Sequence, residues 1–290
     1  VQHLYTPAAI ATLTPCTFHP SFLPRDLADA LLDELLADAP SWRPNSFRLF
    51  DRAVVSPHTS CFYASPSARS VFADTFYDSG SAIADVRTFG PALVRAQGII
   101  EKIVNGELAA RERMQWQYPG RWTADVALCN RYAGPRESVG MHSDRLTHLG
   151  PMPVIASISL GATREFRLRE LVGTDKKTYS VHLPHNSLLI MHAPCQERFK
   201  HAVIPVHAVD LHPVAGAARI NITYRMYRDC FAPRNIPQCK CAVPMILRCV
   251  SSPGPSEGRY FWACAAAYVR EHGCDAFTWA QFTPDGDPIV

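Results

Sequence analysis

In the stretch VGMHSDRLTH a histidine and a carboxylate, His142 and Asp144, stand two residues apart. On an extended segment successive side chains point to opposite faces, so this pair shares a face and can grip one ion. A third ligand is offered by ERFKHAVIP, where His201 falls between the apolar run NSLLIMH and the run ARINITYRMYR. Two imidazoles and one carboxylate on neighbouring strands form a facial triad that leaves three positions on Fe(II) open, enough for a co-substrate and oxygen together. His182, His185, His192, His207 and His212 crowd the same region, so spacing alone leaves the third ligand open.

ARINITYRMYR, residues 218–228, brings the second chemical signal. As a strand it puts Ile220, Ile222 and Tyr224 on one side and Arg219, Asn221, Thr223 and Arg225 on the other. Turned into a barrel, the second side would bury two permanent cations, a costly arrangement unless an anion meets them. A carboxylate suits a guanidinium fork, and a small dicarboxylic keto acid could lay one carboxylate there while its other end chelates the ion. The competing reading of the same residues is an exposed strand with solvated charges.

The elements that must position these groups are legible in outline. Residues 24–39 begin on Pro24 and carry Leu27, Leu31 and Leu35 beside Leu32 and Leu36 on one stripe, which predicts an amphipathic helix stopped by Pro40. Leu93, Ala96, Ile99, Ile100 and Ile103 predict another over 91–104. From about residue 125 the texture changes to short β-rich runs: DVALCNRY, PVIASISLG, REFRLRE, TYSVHL, NSLLIMH and ARINITYRMYR, with Gly, Pro and Asn between them. Helices followed by closely spaced strands predict an all-β core with flanking helices, an antiparallel double sheet of the jelly-roll kind. DCFAPRNIPQC, residues 229–239, reads as a linker, dividing the chain into a unit over 1–232 and a small one over 237–285.

The totals agree with this picture. With 290 residues, 47% of them hydrophobic, the chain can bury a sizeable core. A net charge of +3 neither demands a polyanionic partner nor excludes one met by local contacts. No apolar run has the length of a membrane span, and no signal peptide is read. Five of the ten cysteines fall between 239 and 274, which points to a reducing intracellular compartment and a local metal cluster rather than a disulfide framework. Within that cluster Cys239, Cys241, Cys264 and Cys274 offer four thiolates suited to tetrahedral Zn(II), and a unit this small needs such a metal for most of its stability.

At this point a resemblance enters. NRY at 130–132, HSD at 142–144, LGPMPVIASISLGATREFRLR, ERFKHAV and RINITYR, taken in order over roughly residues 13–228, resemble the AlkB family of Fe(II)- and 2-oxoglutarate-dependent dioxygenases, and in particular its nucleic-acid demethylases. The resemblance implies a double-stranded β-helix with iron on His142, Asp144 and His201. It also implies 2-oxoglutarate held by Asn130, Tyr132, Arg219, Asn221, Thr223 and Arg225, with Arg219 on the distal carboxylate. The implied reaction is oxidative removal of a methyl group from a base nitrogen, on a single strand or a flipped-out base, with DNA favoured over RNA. A dioxygenase acting on RNA or on a different methylated base, and a non-catalytic single-stranded nucleic-acid binding protein, are the alternatives.

One departure from the family pattern bears on the base. The best-known nucleic-acid members of the family place acidic residues directly after His-x-Asp to help read an exocyclic amine, whereas Arg145 and Leu146 stand here, and a cation cannot accept that hydrogen bond. The aromatic pair Phe62 and Tyr63 lies where base recognition begins in the family, with a plain core role as the competing reading. The C-terminal segment is similar to a GRF-type zinc finger through its Cys-x-Cys spacing, Gly258-Arg259-Tyr260, Cys264, Cys274 and Phe277-x-Trp279, with Cys249 outside the ligand pattern. The likeness implies contact with single-stranded nucleic acid, Arg259 meeting phosphate and exposed rings meeting bases. A monomer in the nucleus is the expected setting.

Overall fold

The computed structural model describes residues 1–49, 52–72, 77–78, 81–266 and 272–290. Its centre is two facing β-sheets. The larger has the strand order β2 (Cys16–His19), β13 (Ser187–Met191), β10 (Ile155–Gly161), β15 (Arg219–Arg225), β8 (Val126–Tyr132), β4 (Arg52–Ala64) and β3 (Arg43–Leu49), with β7 (Val86–Thr88) alongside β4. The smaller runs β1 (Gln2–Leu4), β12 (Thr178–Leu183), β11 (Arg164–Glu170), β14 (Phe199–Val203) and β9 (Val139–His142). Together they make a curled jelly-roll core of the double-stranded β-helix type. Two short strands, β5 (Tyr77–Asp78) and β6 (Ser81–Ala82), pair with each other.

Each face of the larger sheet has its own job. Ile220, Ile222 and Tyr224 on β15, with Ala127, Cys129, Ala156, Ile158 and Leu160 beside them, pack on the Leu stripe of α2 (Arg25–Asp38) and on Leu93, Ala96 and Ile100 of α4 (Pro91–Ala109). These are the two helices expected from sequence, and α4 runs further than its apolar pattern suggested because Val104 and Leu108 extend the stripe. Two shorter helices, α1 (Pro7–Leu13) and α3 (Pro66–Phe72), carry too few residues to show a period. The opposite face of the sheet looks inward to a second apolar cluster built from Ile155, Phe166, Leu168, Val181, Leu183, Leu189 and Met191.

A second unit carries the five C-terminal cysteines. Its sheet is β16 (Ile246–Cys249), β17 (Tyr260–Ala263) and β18 (Phe277–Trp279), followed by the pair β19 (Gln281–Phe282) and β20 (Pro288–Ile289). The stretch expected to be a linker is two short 3-10 turns, Asp229–Phe231 and Pro233–Asn235, and not a solvated spacer. Phe231 and Ile236 anchor it in the C-terminal core, where Leu146 of the first unit is also buried. Among the described residues no helix is long and apolar enough to cross a membrane.

Candidate metal centre and anion pocket

The two candidate histidines face each other across a strand pair. β9 and β14 are antiparallel with His142 directly opposite His201, and their ring centroids are 4.3 Å apart. A register shift between His201 and Val203 interrupts the ladder there, a device that re-aims side chains. Asp144, just past the end of β9, brings Oδ1 to 3.6 Å from His142 Nε2 and 3.5 Å from His201 Nε2. One donor atom from each residue lies within 4.8 Å of the other two, a spacing that a single ion could close.

The surroundings fix the donor atoms. His142 Nδ1 bonds the Gly140 carbonyl at 2.8 Å, which leaves Nε2 for a metal. Phe166 stacks on the His201 ring with centroids 5.4 Å apart. Burial and the neighbouring His142 ring hold His201 below its ordinary value, so it is the neutral form that can ligate. Burial alone would raise the Asp144 carboxyl, but the Arg225 guanidinium and the two imidazoles outweigh it and hold it well below the carboxylate range. Arg225 grips Oδ2 through Nε at 2.8 Å and Nη2 at 2.5 Å, so Oδ1 is the oxygen left toward the histidines.

The sheet face beside this cluster answers the question of the inward arginines. Cross-strand rows run Gly161–Arg219–Tyr132, then Ser159–Asn221–Asn130–Ser60, then Ser157–Thr223–Leu128–Phe62. Arg219 is 1% exposed, yet no carboxylate among the described residues pairs with it. Its Nη2 donates to Ser159 Oγ and Asn221 Oδ1, both at 2.9 Å, while Nε and Nη1 are buried with no acceptor in hydrogen-bonding geometry. The Asn221 amide in turn accepts from Ser157 and donates to Thr223, which locks its orientation. Burial pushes the Arg219 guanidinium down to about 10, still a cation at neutral pH.

Asn130 Oδ1 is another buried polar atom without a partner on this face. The Tyr132 ring lies 5.4 Å from the Arg219 guanidinium and 5.7 Å from that of Arg164, and burial pushes its phenol up to about 12. Gly161 makes the close turn next to this row possible: its φ is +83°, and a Cβ would stand 2.3 Å from the Ala218 carbonyl. The two orphaned donors on the buried Arg219 guanidinium are what a small carboxylate would satisfy.

The six residues expected around the anion therefore fall on one sheet face, and Arg225 directs its Nε and Nη2 to Asp144. Of the aromatic pair only Phe62 faces the site. Tyr63 points the other way, its phenol on Asp38 and Trp42 in the helix-side core, because adjacent strand residues take opposite faces. Arg145 is exposed, whereas Leu146 is buried in the C-terminal core and cannot meet a base. Ser157 and Ser159 belong to the wall without having been singled out from sequence, although two serines at alternate positions in the otherwise apolar IASISLG were the available signal. Gln196, whose Oε1 accepts the Asp144 backbone N–H at 2.8 Å, carried no such signal.

The second candidate centre lies in the C-terminal unit. Sulfur atoms of Cys239, Cys241, Cys264 and Cys274 lie within 4.8 Å of one another, and Cys249 is not among them. Backbone N–H groups of Ala266 and Cys274 point at Cys264 Sγ at 3.3 and 3.4 Å, and the Ala276 N–H helps pull the Cys274 thiol down to about 6. Four convergent sulfurs fit a closed tetrahedral site. Strand alternation divides the aromatic residues here: Tyr260 and Trp262 are core, while Phe261, Phe277 and Trp279 cluster on the outer face with centroids 5.1 to 6.3 Å apart. The Arg259 guanidinium lies 3.8 Å over the Trp279 ring.

A jelly roll with two histidines, one carboxylate and an anion-seeking arginine on its inner wall defines a class of metal-dependent oxygenase. Residues 15–225 match the profile of the 2OG-Fe(II) oxygenase superfamily, and the chain belongs to that family. It is 37% identical over 124 residues to alpha-ketoglutarate-dependent dioxygenase alkB homolog 3 of Mus musculus, covering 40% of each chain. With DNA oxidative demethylase ALKBH2 of Arabidopsis thaliana it shares 26% over 226 residues, 71% of this chain and 64% of the relative. The chain thus spans about two fifths of the length of the alkB homolog 3 relatives it matches. A solved structure described as that of OsALKBH1 superposes with a TM-score of 0.50 at 16% identity, covering 73% of this chain and 98% of the other, a likeness of fold alone.

Proposed function

We propose that the chain is an Fe(II)- and 2-oxoglutarate-dependent oxidative demethylase of N-methylated bases in nucleic acid, with single-stranded or flipped-out DNA its favoured substrate. The observation that carries this reading is the buried Arg219, without a carboxylate partner among the described residues, on the wall beside the His142, Asp144 and His201 cluster. Iron held there would supply oxidation of the methyl carbon by dioxygen, with 2-oxoglutarate decarboxylated to succinate and the methyl group leaving as formaldehyde.

The chain's own residues have separate duties in this scheme. His142 Nε2, His201 Nε2 and Asp144 Oδ1 hold the ion, and Arg225 keeps Asp144 ionised and turned. Arg219, set by Ser159, Asn221 and Thr223, holds the distal carboxylate, and Asn130 and Tyr132 line its path. The apolar inner cluster keeps water out. Phe62 and Arg145 border the place for a base, and Arg145 favours one presenting a carbonyl oxygen over one presenting an amine.

In the same reading residues 1–232 form the dioxygenase unit and 237–285 a GRF-type zinc finger on Cys239, Cys241, Cys264 and Cys274. Residues 267–271 of that span lie outside the described residues. Phe261, Phe277, Trp279 and Arg259 offer stacking faces and a cation for a single strand.

The test is succinate formation and loss of one methyl mass from oligonucleotides that each carry one methylated base, including bases with amine and with carbonyl edges. Turnover on a subset fixes the substrate. Iron and 2-oxoglutarate bound without turnover on any of them would replace this reading by a non-catalytic nucleic-acid binder.

A further inference from the structure

The C-terminal unit is fastened to the segment that carries Asp144. Close after that residue, Leu146 inserts among Phe231, Val243, Ile246 and Trp262, and Thr147 Oγ1 accepts the Leu247 backbone N–H from β16 at 3.2 Å. Gly286 lies so close to the first unit that a Cβ would stand 1.9 Å from the Trp116 carbonyl. Arg228, just past β15, donates to Gly286 O and Asp287 Oδ1 at 3.1 and 2.5 Å. The two units therefore share part of one apolar core, and a charge-assisted pair from the buried Arg228 joins them beside it.

One chain of contacts runs from this interface to the metal cluster. Tyr260 of β17, only 2% exposed, donates its hydroxyl to Glu197 Oε1 at 2.9 Å. Glu197 sits on the single-turn helix α5 (Cys195–Arg198), which leads straight into β14 and His201. The same oxygen accepts the Met152 N–H at 2.9 Å, tying down the far end of the loop that begins at Asp144. Gln196, the preceding residue of α5, holds the Asp144 backbone N–H, and Ser143 Oγ donates to Phe199 O at 2.8 Å. Two metal-ligand candidates are therefore set by one short helix, and that helix is held by a tyrosine from the four-cysteine unit.

Resting on the iron reading above, we propose that the four-cysteine unit is a structural part of the His142–Asp144–His201 centre, and that Tyr260, acting through Glu197 and Gln196, is a positioning residue for Asp144. Tyr260 touches neither ion nor substrate. Its hydroxyl fixes α5, and α5 fixes the carboxylate, so loosening the first contact lowers the affinity of the centre for a divalent ion.

Mn(II) affinity, read from the electron paramagnetic resonance signal of free Mn(II), tests this in the full chain with zinc retained. Tyr260→Phe removes one oxygen and keeps the ring, and should weaken Mn(II) binding by roughly tenfold, the lower end of the range for outer-shell changes. Glu197→Gln keeps an acceptor oxygen and should bind like the parent. Gln196→Ala should lose more than Tyr260→Phe, and the double variant should lose no more than Gln196→Ala, because both act through the same helix. Should Gln196→Ala fail to fold, Glu197→Leu takes its place in the cycle.

Parent-like Mn(II) affinity in Tyr260→Phe, or losses that simply add, would overturn the coupling and leave the iron reading standing. A parent chain that binds Mn(II) but never forms succinate would sink the iron reading while the coupling survives. A parent chain that takes up no Mn(II) would sink both.

Discussion

Replacing Arg219 by methionine separates binding from stability with opposite signs. In the parent, a bound 2-oxoglutarate would gain hydrogen bonds from Nε and Nη1, the two buried nitrogens that lack acceptors. Hydrogen bonds to charged groups contribute about 1.5–3 kcal/mol each, so losing both costs at least about 3 kcal/mol, or roughly 100-fold in affinity. Without ligand the sign reverses. The folded parent carries a buried cation with no carboxylate partner among the described residues, and a well-packed apolar side chain of similar length removes that cost. Arg219→Met should therefore raise the melting temperature of the ligand-free protein by a few degrees while weakening 2-oxoglutarate.

Anaerobic calorimetry on the Mn(II)-loaded protein measures the affinity, with 2-oxopentanoate as a control. That acid has the same five carbons and the same chelating end but no distal carboxylate. The parent should prefer 2-oxoglutarate by roughly 100-fold, and Arg219→Met should hold the two acids about equally. An unchanged preference in the variant would refute the assignment of Arg219 to the distal carboxylate, whatever happened to turnover.

Other consequences can be measured independently. Asp144→Asn removes the charge that Arg225 and the metal share, and should abolish Mn(II) binding while leaving the zinc content of the four-cysteine unit intact, as read by elemental analysis. Leu146→Ala should cost about 2–5 kcal/mol in a denaturant titration, since the residue is buried in the shared core; a loss under about 1 kcal/mol, on the order of a surface substitution, would show that the units do not share it. Burial pushes the Asp125 carboxyl up to about 7 although Thr123 and the Tyr227 N–H bond it. Between about pH 4 and 7 the folded chain keeps a proton that the unfolded chain has released, so stability falls as pH rises through that window, at most about 1.4 kcal/mol per unit. Asp125→Asn should flatten that slope, and a slope unchanged in the variant would place its origin elsewhere.

Local pattern was enough for much of the frame. The Leu stripe of α2 and the β-rich runs at 164–170, 178–183 and 219–225 fall where their periods put them, because each segment buries one face whatever its partner. Pattern did not mark out β3 or α3, and it gave β9 and β14 as extended segments without their bounds, because short or polar runs show too little period. The stretch 229–239 looked like a spacer because two prolines hid the fact that Phe231 and Ile236 are anchors.

The sequence alone determined the chemical inventory: that His142 and Asp144 share a face, which strand face carries Arg219, Asn221 and Thr223, and that thiols crowd residues 239–274. Those follow from residue type and from the two-residue period of a strand. Tertiary structure decided the rest. It set His201 opposite His142, directed Arg225 to Asp144 and left Arg219 with no carboxylate partner among the described residues, put Phe62 and Tyr63 on opposite sides of one sheet, and closed the four-cysteine unit onto the loop after Asp144. Such choices depend on which distant segments meet and on whether a buried charge finds a counter-charge there, and neither is written in any local run of residues.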